Sequence, residues 1–378
     1  MEYVEFCGNK ISQLGLGTAS IGSDHNAMDI LSMGYDNGIN YIDTAPTYWG
    51  GMMERIVGGW LSYKNRRKIF IATKKSAYDS VWFPDSILES VKTQCNNLNT
   101  TYLDYFMVHG IEAFGSRKFD DTWNNLTINQ SLGESLDKLK KTGICKNIGI
   151  TYVGPSENVR TILDYYDWDF IMVRDNFLDS LYYKRTHNNE KTTFEIALDY
   201  KKTHPDFGII KMEAFQKSIL INLEYGGNYP SEYITFKYHF NTENIPILVG
   251  CSSPIQLMSI LRKYNRYNEI KDSISYEDMK KDIDEIINYI ENKIPREDNC
   301  ILCYRCVDKC KNHHPIWYYK KIYDNYKLGK SEKFRSYLYN NTISCDECAK
   351  CQIDCPCTPD LKSFINKMNN EYELIYNL

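Results

Sequence analysis

The sequence predicts a (β/α)8 barrel followed by a small cysteine-rich domain. Three observations predict it. From residue 14 to about 262, eight short apolar runs alternate with longer amphipathic stretches, the pattern of parallel strands buried beneath helices. The chain has 378 residues, room for a barrel of roughly 250 residues and an appendage. Nine of the 13 cysteines crowd between Cys300 and Cys357, a density that a barrel does not require.

The expected barrel strands are 14–18, 40–44, 69–73, 104–109, 146–151, 169–173, 208–212 and 245–250, each followed by enough chain for a helix. Eight repeats point to a closed TIM barrel rather than an open sheet. Residues 2–13 precede the first barrel strand and suit a hairpin over the barrel's bottom. Residues 275–293 read as a polar helix with apolar positions at Met279, Ile283, Ile286, Ile287 and Ile290. Pro295 then breaks the chain, which divides it into 1–294, the barrel, and 295–378, the cysteine-rich domain. Residues 315–340 are rich in aromatics and lysines and suit two short helices covering that domain's metal sites.

Composition excludes several classes of function. A net charge of −4 gives no electrostatic reason to expect nucleic acid. No apolar run approaches the roughly 18 residues needed to span a membrane. The N-terminus, Met1-Glu2-Tyr3-Val4-Glu5, lacks the basic start and apolar core of a signal peptide. A cytoplasmic protein is expected, and in that compartment clustered cysteines bind metal rather than pair as disulfides. The 31 tyrosines are spread throughout and carry no functional weight.

The cysteines fall into two groups, Cys300-x2-Cys303-x2-Cys306-x3-Cys310 and Cys345-x2-Cys348-x2-Cys351-x3-Cys355-Pro356. Each matches the ferredoxin run that binds [4Fe–4S] clusters. Three closely spaced thiolates hold three irons of one cube, and the longer gap carries the fourth to the other cube. Crossed ligation is therefore expected: Cys300, Cys303, Cys306 and Cys355 on one cluster, Cys345, Cys348, Cys351 and Cys310 on the other. Zinc sites favour paired knuckles over such triplets. Lys311 stands where the second run has a proline, and Cys357 has no assigned role.

Polar residues at the ends of successive strands mark an active site. They are Asp43 and Tyr48 after the second strand, Lys74 after the third and His109 after the fourth. Catalytic residues of such barrels sit at that end. Together these groups suit acid–base work on a carbonyl. A tyrosine hydroxyl donates a proton, a lysine paired with an aspartate tunes it, and a histidine orients the carbonyl oxygen.

The segments Leu14-Gly15-Leu16-Gly17-Thr18, Asp43-Thr44-Ala45, Tyr48-x5-Glu54, Ala72-Thr73-Lys74, Tyr105 to His109 and Lys138 to Ile150 resemble the aldo-keto reductases, specifically the branch with a C-terminal ferredoxin-like domain. The resemblance runs nearly end to end. It implies reduction of a small carbonyl, or oxidation of the alcohol, with hydride from NAD(P)H. By the same resemblance Tyr48 is the acid, Lys74 tunes it, Asp43 holds Lys74, and His109 directs the substrate. It also implies a cofactor site drawn from Gly17, Thr18, Asp43, Thr151, Arg174, Gly250 and Ser252.

That cofactor site departs from the family pattern. Thr151-Tyr152 replaces the usual Ser-Asn, Arg174 a glutamine, and Glu213-Ala214 the usual Lys-Pro. The loop 250–256 has no Lys or Arg for a 2′-phosphate, the nearest cation being Arg262. Three readings stand open: an NAD(P)H enzyme; a cluster-fed reductase taking electrons from a redox protein such as ferredoxin; and a non-enzymatic electron-relay or binding module on a barrel scaffold.

Overall fold

The computed structural model describes residues 1–378 apart from 22–23, 79–81, 112–118, 155, 217, 242–244, 294–305, 307–309, 311–315, 328–352, 354, 356–359 and 377–378; for 24, 25, 186, 317, 318, 321, 325 and 372–376 it describes the backbone alone. The chain starts with an antiparallel hairpin, β1 (Tyr3–Phe6) and β2 (Asn9–Ser12). Its turn residues Cys7 (φ 48°) and Gly8 (φ 71°) are both left-handed, the geometry that matches strand twist in a two-residue hairpin.

Eight strands follow: β3 (Leu14–Gly17), β4 (Tyr41–Asp43), β5 (Phe70–Ser76), β6 (Leu103–His109), β7 (Cys145–Tyr152), β8 (Phe170–Arg174), β9 (Gly208–Met212) and β10 (Ile247–Gly250). They close into a parallel barrel in the order β10-β3-β4-β5-β6-β7-β8-β9. All eight expected strands are present. The main difference is β5, which runs on through Ser76, so that Lys74 lies inside a strand, paired in register with Met107.

Alternation along the strands sorts side chains into two cores. Tyr41, Ala72, Tyr105, Met107, Phe170, Met172 and Ile210 fill the barrel's interior together with Val4, Phe6 and Ile11 of the hairpin. The Phe6 ring lies 5.2 Å from Tyr105 and 5.4 Å from Phe170 between centroids, so the hairpin plugs the bottom as expected. Strand neighbours there approach closely. A Cβ on Gly149 would stand 2.6 Å from the Phe170 carbonyl oxygen, closer than side chains tolerate.

The outward residues pack beneath the helices α1 (Asp24–Asp36), α2 (Met52–Leu61), α3 (Pro84–Asn97), α4 (Phe119–Asn124), α5 (Leu132–Thr142), α6 (Val159–Tyr165), α7 (Phe177–Thr186), α8 (Thr193–Thr203), α9 (Ser231–Phe240) and α10 (Pro254–Ile270). The expected polar helix forms as α11 (Tyr276–Lys293), and Met279, Ile286, Ile287 and Ile290 enter the same core. Asp282 of this helix is fully buried and accepts from the backbone N–H groups of Asn228 (3.1 Å) and Tyr229 (2.8 Å). That pairing stitches α11 to the loop before α9.

Beyond residue 294, α12 (Ile316–Lys327) and α13 (Leu361–Tyr376) share a second, smaller core of Ile316, Tyr319, Ile322, Tyr323, Ile353, Leu361, Phe364, Ile365 and Met368. The Tyr323 hydroxyl donates to Glu371 (2.7 Å), which also pairs with Lys327 (2.8 Å). The first expected helix of 315–340 is thus α12; the second falls outside the described residues.

Candidate active site

Barrel pairing brings four strand ends together, β3 to β6. Gly17 pairs with Asp43, Asp43 with Ala72, and Ser76 with His109. Asp43 and Lys74 both sit at the mouth, 3% and 1% exposed. The Lys74 Nζ donates to Asp43 Oδ1 at 2.5 Å and to the Thr44 carbonyl at 2.9 Å. Burial pulls the Lys74 ammonium toward neutrality, but Asp43 and Tyr48 more than offset it and hold the charge. A buried ion pair persists where further bonds support its charges, as the Thr44 carbonyl does for the Lys74 ammonium.

Tyr48 joins this pair from the loop after β4. Its ring lies 5.2 Å from Lys74 Nζ and meets the His109 ring edge-on at 6.3 Å between centroids. Burial pushes the Tyr48 hydroxyl above the ordinary phenol range, and Lys74 pulls it back by charge and by a hydrogen bond without cancelling the rise. The proton therefore stays on the tyrosine until a substrate oxygen takes it. His109 is pushed down to about 3 by burial and by Lys74, so it is a neutral imidazole that can donate one hydrogen bond at ordinary pH. Directly after Tyr48 the chain runs through three left-handed residues, Trp49 (φ 53°), Gly50 (φ 60°) and Gly51 (φ 88°). Two glycines accept this conformation without cost; Trp49 accepts it under strain of the kind held at functional loops.

Behind the tetrad lies a clamp that sequence reasoning missed. Buried Glu54 of α2 accepts from Thr73 Oγ1 (2.7 Å), Gln94 Nε2 (3.0 Å) and Asn97 Nδ2 (3.3 Å). Gln94 also donates to the Lys74 carbonyl at 2.8 Å. The clamp ties α2 and α3 to the residue that carries the ammonium. It depends on close helix approach, since a Cβ on Gly58 would meet the Asn97 carbonyl oxygen at 2.0 Å. The readable signal was Gln94 itself, a polar residue within the apolar stripe Ile87, Val91, Gln94, Cys95.

The residues expected to hold a cofactor divide. Thr151 is buried at the mouth end of β7 with no hydrogen-bond partner for its hydroxyl, and Asp43 Oδ2 likewise has none. Such orphaned groups suit a ligand's polar atoms. Thr18 instead binds the protein: its N–H and its hydroxyl both donate to the Asp43 carbonyl at 2.9 Å. Gly17 ends β3 beside Asp43, and Gly250 faces Ser20, whose Oγ would lie 3.6 Å from an added Cβ. Ser252 donates through N (2.8 Å) and Oγ (3.0 Å) to Gln256 Oε1, while Ser253 caps α10. Tyr152 is buried in the outer core, where its hydroxyl accepts from Asn158 at 3.2 Å.

Arg174 is turned onto the protein's own carboxylates. Its Nη2 binds Asp179 Oδ2, and its Nε lies 3.6 Å from Glu213 Oε2. Asp179 accepts further from Asn176 Nδ2 (2.6 Å) and Gln216 Nε2 (2.8 Å). Glu213 (φ 55°) and Gln216 (φ 48°) take left-handed backbone, so this network pins the strained loop after β9.

Of the expected cluster ligands, Cys306, Cys310 and Cys355 are described. All three border the small C-terminal core, and Cys355 borders the barrel core as well. The Cys310 N–H donates to the Cys306 carbonyl at 3.3 Å. Cys300, Cys303, Cys345, Cys348 and Cys351 lie outside the described residues. Among the described residues no three Cys, His, Asp or Glu converge as a metal site, and no helix is long and apolar enough to cross a membrane.

The lysine–aspartate pair, the tyrosine and the histidine thus meet at the mouth of a parallel eight-stranded barrel. Residues 13–234 match the aldo/keto reductase family, and the chain belongs to it. It is 34% identical over 156 residues to the uncharacterized oxidoreductase YqkF of Bacillus subtilis, covering 39% of this chain and 46% of that protein. It is 37% identical over 130 residues to D-arabinose 1-dehydrogenase of Saccharomyces cerevisiae, covering 32% and 35%. The chain thus spans less than half the length of these curated relatives. Among solved structures, the holo form of an aldo-keto reductase from Bacillus halodurans superposes with a TM-score of 0.55 at 21% identity, covering 70% of this chain and 91% of that one. An aldo-keto reductase from Klebsiella pneumoniae in complex with NADPH gives 0.52 at 15%, covering 70% and 89%. These likenesses show the shared fold. The cysteine groups lie beyond the family match.

Proposed function

We propose that this chain is a cytoplasmic NAD(P)H-linked oxidoreductase that reduces a small carbonyl, or oxidises the matching alcohol, and carries two [4Fe–4S] clusters in a domain spanning 295–378. The observation that carries the redox reading is the buried Asp43–Lys74 pair beneath Tyr48, with neutral His109 facing it. Bound NAD(P)H would supply the hydride. Tyr48 holds the proton that the carbonyl oxygen needs as negative charge grows on it. Lys74, kept charged by Asp43, steadies the phenolate left behind. His109 donates a hydrogen bond to the same oxygen and fixes its direction. The orphaned Thr151 hydroxyl and Asp43 Oδ2 fit a ligand with amide and hydroxyl groups beside the tetrad.

Tyr48→Phe tests this reading, since it removes one hydroxyl and little volume. Carbonyl reduction should fall roughly 10²–10⁴-fold with fold and iron content unchanged. A variant as active as the parent would show that another group supplies the proton.

The cluster reading rests on the tandem spacing and on the three described cysteines lining one small core. About eight irons and eight labile sulfides per chain are expected for two cubes; stoichiometric zinc without sulfide would overturn it. A second reading, a reductase fed by a redox protein such as ferredoxin, is favoured by the commitment of Arg174 to Asp179 and Glu213. Calorimetric titration with NADH and NADPH separates the two. Binding of either supports the first; binding of neither, with activity restored by reduced ferredoxin, supports the second.

A further inference from the structure

Tyr41 on β4 and Tyr105 on β6 both fill the barrel's interior and are fully buried. The hairpin serves the Tyr105 hydroxyl, which donates to the Phe6 carbonyl at 3.2 Å and accepts from Asn9 Nδ2 at 3.1 Å. The Tyr41 ring packs in the same cluster, 6.3 Å from Phe6 and 5.4 Å from Tyr105 between centroids. Gly15 leaves room for it, since a Cβ there would stand 2.8 Å from Tyr41 Cδ1. Yet the Tyr41 hydroxyl has no hydrogen-bond partner among the described residues. Phenylalanine would fill this space without burying a hydroxyl, and a buried hydroxyl left unpaired is costly.

Asp43 stands two residues further along β4, so its side chain shares the interior face with Tyr41. Its Oδ1 accepts from Lys74, while its buried Oδ2 has no partner among the described residues. After burial itself, Asp43 is the group that most raises the Tyr41 hydroxyl above the ordinary phenol range, ahead of Tyr105, Cys7 and Asp104. A donor and an acceptor, both orphaned, thus lie on one face of one strand.

We propose that Tyr41 is a positioning residue for the tetrad: its hydroxyl donates to one buried water, and that water donates to Asp43 Oδ2. The inference rests on the redox reading of Asp43, Lys74 and Tyr48 given above. One water so placed satisfies both groups. A carboxylate oxygen accepts more than one bond, so Oδ2 can still receive a ligand from the mouth. A bond donated to the ionised carboxylate favours that form and opposes the burial that pushes the Asp43 carboxyl up. Lys74 on β5 is the cation that opposes the same rise, and Tyr48 and His109 stand on the far side of its ammonium's field. Tyr41 therefore acts on the acid through Asp43 and Lys74, without touching the substrate.

The test is kcat and KM against pH for the parent and Y41F with one carbonyl substrate, together with crystal structures of both fine enough to show waters. The parent should lose activity on the acid side as Asp43 takes up a proton. In Y41F that limb should move to higher pH by about one unit, a tenfold change in proton affinity, with KM on the plateau unchanged. A purely structural tyrosine would lower stability without moving the limb. The parent crystal should hold a water bonded to both Tyr41 Oη and Asp43 Oδ2, lost or displaced in Y41F. No such water in the parent, or an unmoved limb in Y41F, would overturn the role of Tyr41 and leave the tetrad standing. A chain as active after Tyr48→Phe as before would overturn the tetrad reading and this inference together.

Discussion

The two halves of the barrel mouth differ in where their polar groups point. On β4, β5 and β6, Asp43, Lys74 and His109 converge with Tyr48, and a dedicated clamp from α2 and α3 backs them. On β8, the first turn of α7 and the loop after β9, Arg174, Asp179, Glu213 and Gln216 bind one another. The first half leaves a polar atom, Asp43 Oδ2, without a hydrogen-bond partner among the described residues. The second spends its charges on fixing a loop. The difference teaches that the two sets of polar groups are placed by different strands and can be altered separately.

The largest effect expected from breaking this contrast is at Lys74. Lys74→Met should abolish carbonyl reduction and leave the Asp43 carboxylate buried without its cation, at a cost of about 3–5 kcal/mol. Urea unfolding would report it, and unchanged stability would mean that the pair is not closed in solution. Arg174→Gln sharpens the comparison from the other side. Removing one partner of Asp179 should destabilise by about 1–3 kcal/mol. If a dinucleotide binds, its affinity should rise by about tenfold, roughly 1.4 kcal/mol, as the loop after β9 is released. Weaker binding would show that the guanidinium itself holds the cofactor.

Smaller still is the effect of Gln94→Ala, which removes the donor to the Lys74 carbonyl and to Glu54. A loss of about 1–3 kcal/mol in stability is expected, together with a drop in kcat at unchanged KM. A changed KM alone would argue against a clamp that acts through Lys74. The smallest effect concerns pH. His109 is held at about 3 by burial and by Lys74, below its unfolded value of about 6.5. The unfolded chain therefore binds a proton below pH 6.5 that the folded chain refuses. Stability falls as pH drops from 6.5 toward 3 and is flat above. His239 is lowered in the same way, so both histidines steepen that slope. His109→Gln should make it shallower, while the parent's activity shows no histidine inflection between pH 6 and 8.

The sequence by itself determined the eight-strand alternation and marked out the polar residues at the barrel mouth, because both are written in local terms. A buried parallel strand needs a continuous apolar run, and a polar residue at its end stands out against it. Asp43, Lys74 and His109 were legible for that reason, and the hairpin, β1 to β2, was legible from its place before the first apolar run. Only the tertiary structure decided what Arg174, Glu54 and Gln94 do. The guanidinium of Arg174 could reach a ligand or a carboxylate. The choice was made by Asp179 and Glu213, which stand 5 and 39 residues away in sequence; the first turn of α7 places Asp179 and the β8–β9 pairing brings Glu213 alongside. Glu54, Thr73 and Gln94 likewise meet only because α2 and α3 press together at Gly58. Contacts between elements depend on the packing of the whole barrel, and residue spacing along one element does not encode them.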